Sequence, residues 1–145
     1  MPKILVKYLD PDLKPISQAH EKEWYDLRAA YDYKIEPGKL CYIRLGVCIQ
    51  LPKDHEAILA MRSSSSKKYG VMPANGIGVI DYKYCGNNDE WIMPVVNFTK
   101  KTQIIPKNTR ICQFRVMPQQ PYHDIIQIQD MKNPDRKGLG STGNA

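Results

Sequence analysis

No apolar run in this chain lasts beyond about ten residues before Lys, Asp, Pro or Gln cuts it, which leaves no segment long enough to span a membrane as a helix. What lies between the cuts reads as strand. Ile4 to Leu9 is short and rich in strand formers, and Leu40 to Ile49 is a longer run of the same kind. Glu56 to Met61, Trp91 to Phe98, Arg110 to Met117 and Asp124 to Gln129 follow the same pattern. Turn chemistry separates them, as in Asp10-Pro11-Asp12, Glu36-Pro37-Gly38 and Pro106-Lys107-Asn108. Helix signal is thin, with one short polar candidate at Ser64 to Tyr69. With eleven prolines and nine glycines, many short strands at regular spacing predict an all-β sandwich, jelly roll or barrel.

At 145 residues, 42% hydrophobic and 25% charged, the chain is one ordinary globular domain able to bury a core unaided. The predicted domain runs over residues 1–132. Residues 133–145 are glycine-rich and polar, and read either as a frayed tail or as a tail that orders on a ligand. The N-terminus carries no secretory pattern, so a cytoplasmic protein is expected. Cys41, Cys48, Cys85 and Cys112 form no CxxC pair and no zinc-finger spacing, and they read as reduced thiols packed mostly in strands. The net charge of +6 suits an anionic ligand. Nucleic acid is the obvious rival partner. It is disfavoured because the basic residues are dispersed and the aromatic residues form no spaced stacking platform.

Five segments carry the chemistry. Trp24-Tyr25-Asp26-Leu27-Arg28-Ala29-Ala30 sets an acid inside a strand-like run. Arg62-Ser63-Ser64-Ser65-Ser66-Lys67-Lys68 joins hydroxyls, helix-start amides and cations into a phosphate cradle. Asn75 to Gly86 reads as a hairpin bearing Asp81 and Tyr84. Arg110-Ile111-Cys112-Gln113 punctuates an apolar strand, and Gly140-Ser141-Thr142-Gly143 ends the tail. Each alone is weak, since an isolated strand Asp is more often a surface carboxylate than a metal ligand and a serine-rich loop is as often plain surface.

Their order and spacing resemble the five motifs of the trimeric dUTPase family. Tyr25-Asp26-Leu27 stands in the first motif, Arg62-Ser63-Ser64 in the second, Gly78 to Gly86 in the third, Arg110 to Gln113 in the fourth and Gly140 to Gly143 in the fifth. The resemblance implies a jelly-roll-like β-barrel and a homotrimer. It also implies an enzyme that uses Mg²⁺ to split dUTP into dUMP and pyrophosphate.

Under this resemblance Asp81 is the general base for the water that attacks the α-phosphorus, and Asp26 holds Mg²⁺ through water. Tyr84 packs under the deoxyribose and leaves no room for a 2′-hydroxyl. Main-chain groups from Ile77 to Tyr84, including Gly78 and Ile80, read uracil, with Asn75 at the edge. A mismatched donor or acceptor there would be left unpaired. Ser63, Ser64 and Gln113 contact the α- and β-phosphates while Arg62 supports their loop. Arg136, Ser141 and Thr142 of a neighbouring subunit's tail hold the γ-phosphate.

Three positions depart from the pattern. Leu139 occupies the place of a base-stacking Phe, which makes Trp91 a candidate lid. Ser64 replaces a Gly, and Lys83 precedes Tyr84 where acidic or small residues are usual. Two alternatives accompany the resemblance. One is a dCTP deaminase relative, for which Glu90 is the glutamate at hand and Pro94 stands near the required position. The other is a catalytically weak nucleotide-sensing or protein-binding module with a regulatory protein partner.

Overall fold

The computed structural model describes residues 1–139. Ser141 and Thr142 therefore lie outside the described residues, as does the whole Gly140 to Gly143 motif. Twelve strands and one short helix follow in the order β1 (Leu5–Tyr8), β2 (Ser17–Gln18), β3 (Tyr25–Arg28), β4 (Tyr33–Ile35), β5 (Leu40–Arg44), β6 (Val47–Gln50), β7 (His55–Met61), α1 (Ser65–Tyr69), β8 (Val71–Pro73), β9 (Gly78–Asp81), β10 (Ile92–Asn97), β11 (Gln103–Ile105) and β12 (Arg110–Pro118). They form four sheets with the orders β1-β6, β5-β10-β8, β11-β4 and β2-β3-β12-β7-β9. The protein is thus nearly all-β, and among the described residues the sheets do not close into one barrel.

The sheets enclose a single cluster. Trp91 meets Phe114 edge-on at 5.1 Å, Tyr25 stacks on Phe114 at 5.2 Å, and Leu27, Ile43, Leu59 and Met93 fill the space around them. The apolar run at 40–49, expected as one strand, is two. Gly46 takes φ +66°, and a Cβ there would sit 2.8 Å from Leu13 Cδ2 and 3.1 Å from the Ala30 Cβ. Only glycine tolerates both the conformation and the contact, so the chain turns there and β5 and β6 enter different sheets.

Two further expectations are corrected. Asn75 to Gly86 is not a hairpin of paired strands. β9 pairs with β7, β8 pairs with β10, and the Asp81–Tyr84 turn follows β9 without a returning partner. Asp124 to Gln129 forms no strand: Ile125, Ile126 and Ile128 are exposed, and among the described residues no sheet edge of the same chain takes them. Strand propensity is realised only where a neighbouring strand completes the ladder.

Asn97 ends β10 as a fully buried polar knot. Its side-chain amide donates to the Ile35 and Lys101 carbonyls at 2.8 Å each, and its oxygen accepts from the Thr99 N–H and hydroxyl. Asn97→Leu strands these partners without replacing them. It is expected to cost about 3 kcal/mol in denaturant unfolding at unchanged m-value.

Candidate active site

The large sheet brings the first, second and fourth segments together. Asp26 on β3 is in register with Gln113 on β12, and Gln113 is in register with Ala60 on β7. Arg62 and Ser63 follow directly on the end of β7. These strands line a cavity of about 500 Å³ bordered by Asp26, Arg62, Ser63 and Gln113, with Lys22 and Trp24 at its rim. Asp26 is buried at 5% exposure and pairs with both Arg62 Nε at 3.0 Å and Arg110 Nη1 at 3.3 Å.

Arg28 lies opposite Arg110 in the β3–β12 ladder. Burial and the Arg110 guanidinium push Arg28 below the usual arginine range. Two guanidiniums thus hold one carboxylate, and Arg28, whose Nη1 donates to the Asn108 carbonyl at 2.7 Å, adds a third positive charge nearby. Neither Arg28 nor Arg110 carries an expected role from sequence alone. The signal was present in Arg110, the first residue of the fourth segment, but its partner Asp26 is far away in sequence.

The serine loop resolves by residue. Ser65, rather than Ser63 or Ser64, turns inward and donates its hydroxyl to the Ile111 carbonyl at 3.0 Å, which ties the loop to β12. Ser63 and Ser64 are exposed, and Ser63 borders the cavity. Ser64 has φ −86° and ψ −11°, a conformation open to any residue, so the departure from Gly costs no backbone strain.

The third segment forms a separate place. Ile80, Asp81, Tyr84, Glu90 and Ile92 line a second cavity of about 350 Å³. Asp81 is exposed and held at both oxygens: Oδ1 accepts the Lys83 N–H at 2.7 Å, and Oδ2 accepts from Gln119 Nε2 at 3.2 Å. Gln119 is a residue that sequence reasoning missed, since it reaches Asp81 only through the fold. Lys83 itself is exposed, its Nζ 5.9 Å over the Tyr82 ring. Burial and the nearby Asp89 raise the Tyr84 hydroxyl above its ordinary range. Gly78 lies on β9, and Asn75 is exposed in the turn before it.

Trp91 is not a lid. At 1% exposure it is wedged against Phe114, and its ring is part of the core rather than free to cover a base. Leu139 and Arg136 are exposed. Glu90 turns its carboxylate onto Arg44 Nε and the Gly46 N–H, so it is already committed to the protein and is not a free proton shuttle.

Within one chain the two cavities are far apart. Asp81 faces Glu56 and Gln113 faces Ala60 along β7, a displacement of four residues or about 13 Å at strand rise. From β3 to β9 there are three strand spacings, about 14 Å more across the sheet.

A family model described as dUTPase matches residues 15–143. The chain is 41% identical over 140 residues to an SPbeta prophage-derived deoxyuridine 5′-triphosphate nucleotidohydrolase of Bacillus subtilis, covering 97% of each. It is 31% identical to the deoxyuridine 5′-triphosphate nucleotidohydrolase of Escherichia phage T5, covering 97% of this chain and 98% of that one. In fold it is similar to a Staphylococcus bacteriophage 80alpha dUTPase G164S mutant with dUpNHpp, at a TM-score of 0.78 and 20% identity over 98% of this chain and 99% of that one. With the motif residues gathered on the sheet and the match running through nearly the whole chain, the protein belongs to the dUTPase family.

Proposed function

We infer that this chain hydrolyses dUTP to dUMP and pyrophosphate, with Mg²⁺, as a homotrimer whose sites are shared between subunits. Family membership carries the reaction. The separation of Asp81 from Asp26 carries the sharing. A general base must reach the attacking water, and the metal sits on the same triphosphate whose α-phosphorus that water attacks. Two carboxylates roughly 20 Å apart in one chain cannot meet one substrate, whereas Asp81 of one copy and Asp26 of the next can.

Exposed apolar surface supports assembly. Leu40, Tyr42, Met72 and Ile92 point out of one face of the β5-β10-β8 sheet, and the segment carrying Ile125, Ile126 and Ile128 is exposed as well. The finer jelly-roll reading of the fold and the split into a domain at 1–132 and a tail at 133–145 belong to this proposal. So does the assignment of Arg136, Ser141 and Thr142 to the γ-phosphate. No helix among the described residues is long and apolar enough to cross a membrane, and a cytoplasmic setting is proposed with the function.

The donor set fits Mg²⁺ held outside direct coordination. No group of three or more His, Cys, Asp or Glu side chains gathers among the described residues, and both Asp26 oxygens already accept from arginines. A carboxylate so engaged keeps lone pairs for water, which suits an ion that retains its waters and rides on phosphates. When bound, the ion supplies charge neutralisation on the triphosphate. The chain's own groups do the rest. Arg62 and Arg110 fix Asp26, Ser63, Ser64 and Gln113 receive the α- and β-phosphates, and Asp81, held by Lys83 and Gln119, accepts the proton of the attacking water. The oxygen then bonds to the α-phosphorus as the bond to the pyrophosphate oxygen breaks.

The test is product analysis with dUTP, dCTP, dTTP and UTP, with and without Mg²⁺. Formation of dUMP and pyrophosphate from dUTP, falling at least about tenfold on chelation, is the expected result. Ammonia released from dCTP would replace this reading with a deaminase.

A further inference from the structure

Tyr84 is the wall assigned to sugar selection, yet its ring stands on an exposed turn, 42% accessible. A wall excludes a 2′-hydroxyl only while it is held. The Tyr84 N–H donates to the Asp81 carbonyl at 3.0 Å, which sets the backbone but leaves the ring free to swing about χ1. What stops it is the far end: the hydroxyl donates to the Glu90 carbonyl at 3.1 Å.

That carbonyl is itself fixed from the other side. Glu90 is 7% exposed, and its carboxylate accepts the Gly46 N–H at 3.1 Å and Arg44 Nε at 2.5 Å. Arg44 in turn lies over the Tyr31 ring at 5.4 Å. The next residue is bound to the same corner: the Trp91 N–H donates to the Val47 carbonyl at 2.9 Å, and the Trp91 carbonyl accepts the Leu45 N–H at 3.0 Å. Between Tyr84 and Glu90 the loop is closed by Asp89, whose Oδ2 accepts the Gly86 N–H at 2.7 Å. A Cβ at Gly86 would lie 2.8 Å from that oxygen. The turn between β5 and β6, formed around Gly46, is therefore tied through Glu90 to the Tyr84 ring.

We propose that Glu90 is a positioning residue for sugar selection: its buried carboxylate, clamped by Arg44 and Gly46, holds the carbonyl that anchors the Tyr84 hydroxyl. The inference rests on the dUTPase reading. Glu90 borders the cavity, but its carboxylate is committed to Arg44 and Gly46 rather than to substrate. It acts by keeping the ring where a ribose would collide with it, so its loss admits UTP more than it slows dUTP. A residue that served folding alone would lower turnover of both nucleotides together.

The experiment measures kcat/KM for dUTP and UTP in the wild type, Glu90→Gln, Glu90→Ala, Tyr84→Phe and the Tyr84→Phe/Glu90→Ala double variant. Each single change is expected to lower the dUTP-to-UTP preference by about three- to tenfold, the worth of one hydrogen bond. The double variant is expected to fall no further than the larger single effect, because both changes break one chain of contacts. Glu90→Gln keeps an oxygen for the Gly46 N–H and carries the test if Glu90→Ala does not fold. An unchanged preference in folded Glu90→Gln and Tyr84→Phe, or effects that add independently, overturns the inference while dUTP hydrolysis by the wild type stands. A wild type that leaves dUTP untouched overturns the proposed function and this inference with it.

Discussion

Replacing Asp81 by Asn is expected to lower dUTP turnover by about three orders of magnitude, within the range for loss of a positioned general base, while nucleotide affinity changes little. The amide is isosteric. Its oxygen still accepts from the Lys83 N–H, as Oδ1 does now at 2.7 Å, so the turn that carries Tyr84 keeps its shape. Gln119 turns over its own amide to meet the new one, preserving the contact now made at 3.2 Å. What disappears is the proton acceptor. Single-turnover kinetics separate the two effects: a slow chemical step with unchanged binding is the signature, and weakened binding with an unchanged step assigns Asp81 to substrate recognition instead.

The second prediction follows from the distance between the two cavities. Asp81→Asn and Asp26→Asn are each expected to be inactive as pure proteins. Refolded together as a mixture, they are expected to recover activity, because a site that draws Asp81 from one chain and Asp26 from another is intact whenever each donor comes from the chain that kept it. Random mixing of equal amounts makes about a quarter of shared sites whole, against none in either parent. Asp26→Asn is chosen because the amide keeps an acceptor near Arg62 and Arg110, which now hold Asp26 at 3.0 and 3.3 Å. Full deletion of that partner would leave two partly buried guanidiniums unpaired. Mixing that restores nothing, with both variants folded and assembled, would mean that each chain builds its own site.

Much of the local architecture was legible in the chain. Arg110 to Met117 lies within β12, Glu56 to Met61 within β7, and Ser64 to Tyr69 covers α1, since alternation and turn residues are local properties. The errors came where local signals depend on distant partners. The run from Leu40 to Ile49 is uniformly strand-like, and its break at Gly46 is imposed by Leu13 and Ala30, residues remote in sequence. Trp91 looked like a free aromatic beside the third segment, and only Phe114, packed against it at 5.1 Å, makes it core. Asp124 to Gln129 has strand composition and, among the described residues, no partner strand in its own chain.

The motif residues themselves, Asp26, Arg62, Ser63, Asp81, Tyr84 and Gln113, were determined by the sequence alone, because chemistry needs particular side chains in a particular order and that order is written along the chain. Their grouping was decided by the tertiary structure. Antiparallel register sets Asp26 beside Gln113 and carries Asp81 to the far end of β7. The supporting contacts, Arg110 on Asp26, Gln119 on Asp81 and Glu90 behind Tyr84, join residues whose separation in sequence bears no relation to their distance in space. A hydrogen bond of about 3 Å is specified by the closure of the whole sheet, and no local pattern encodes it.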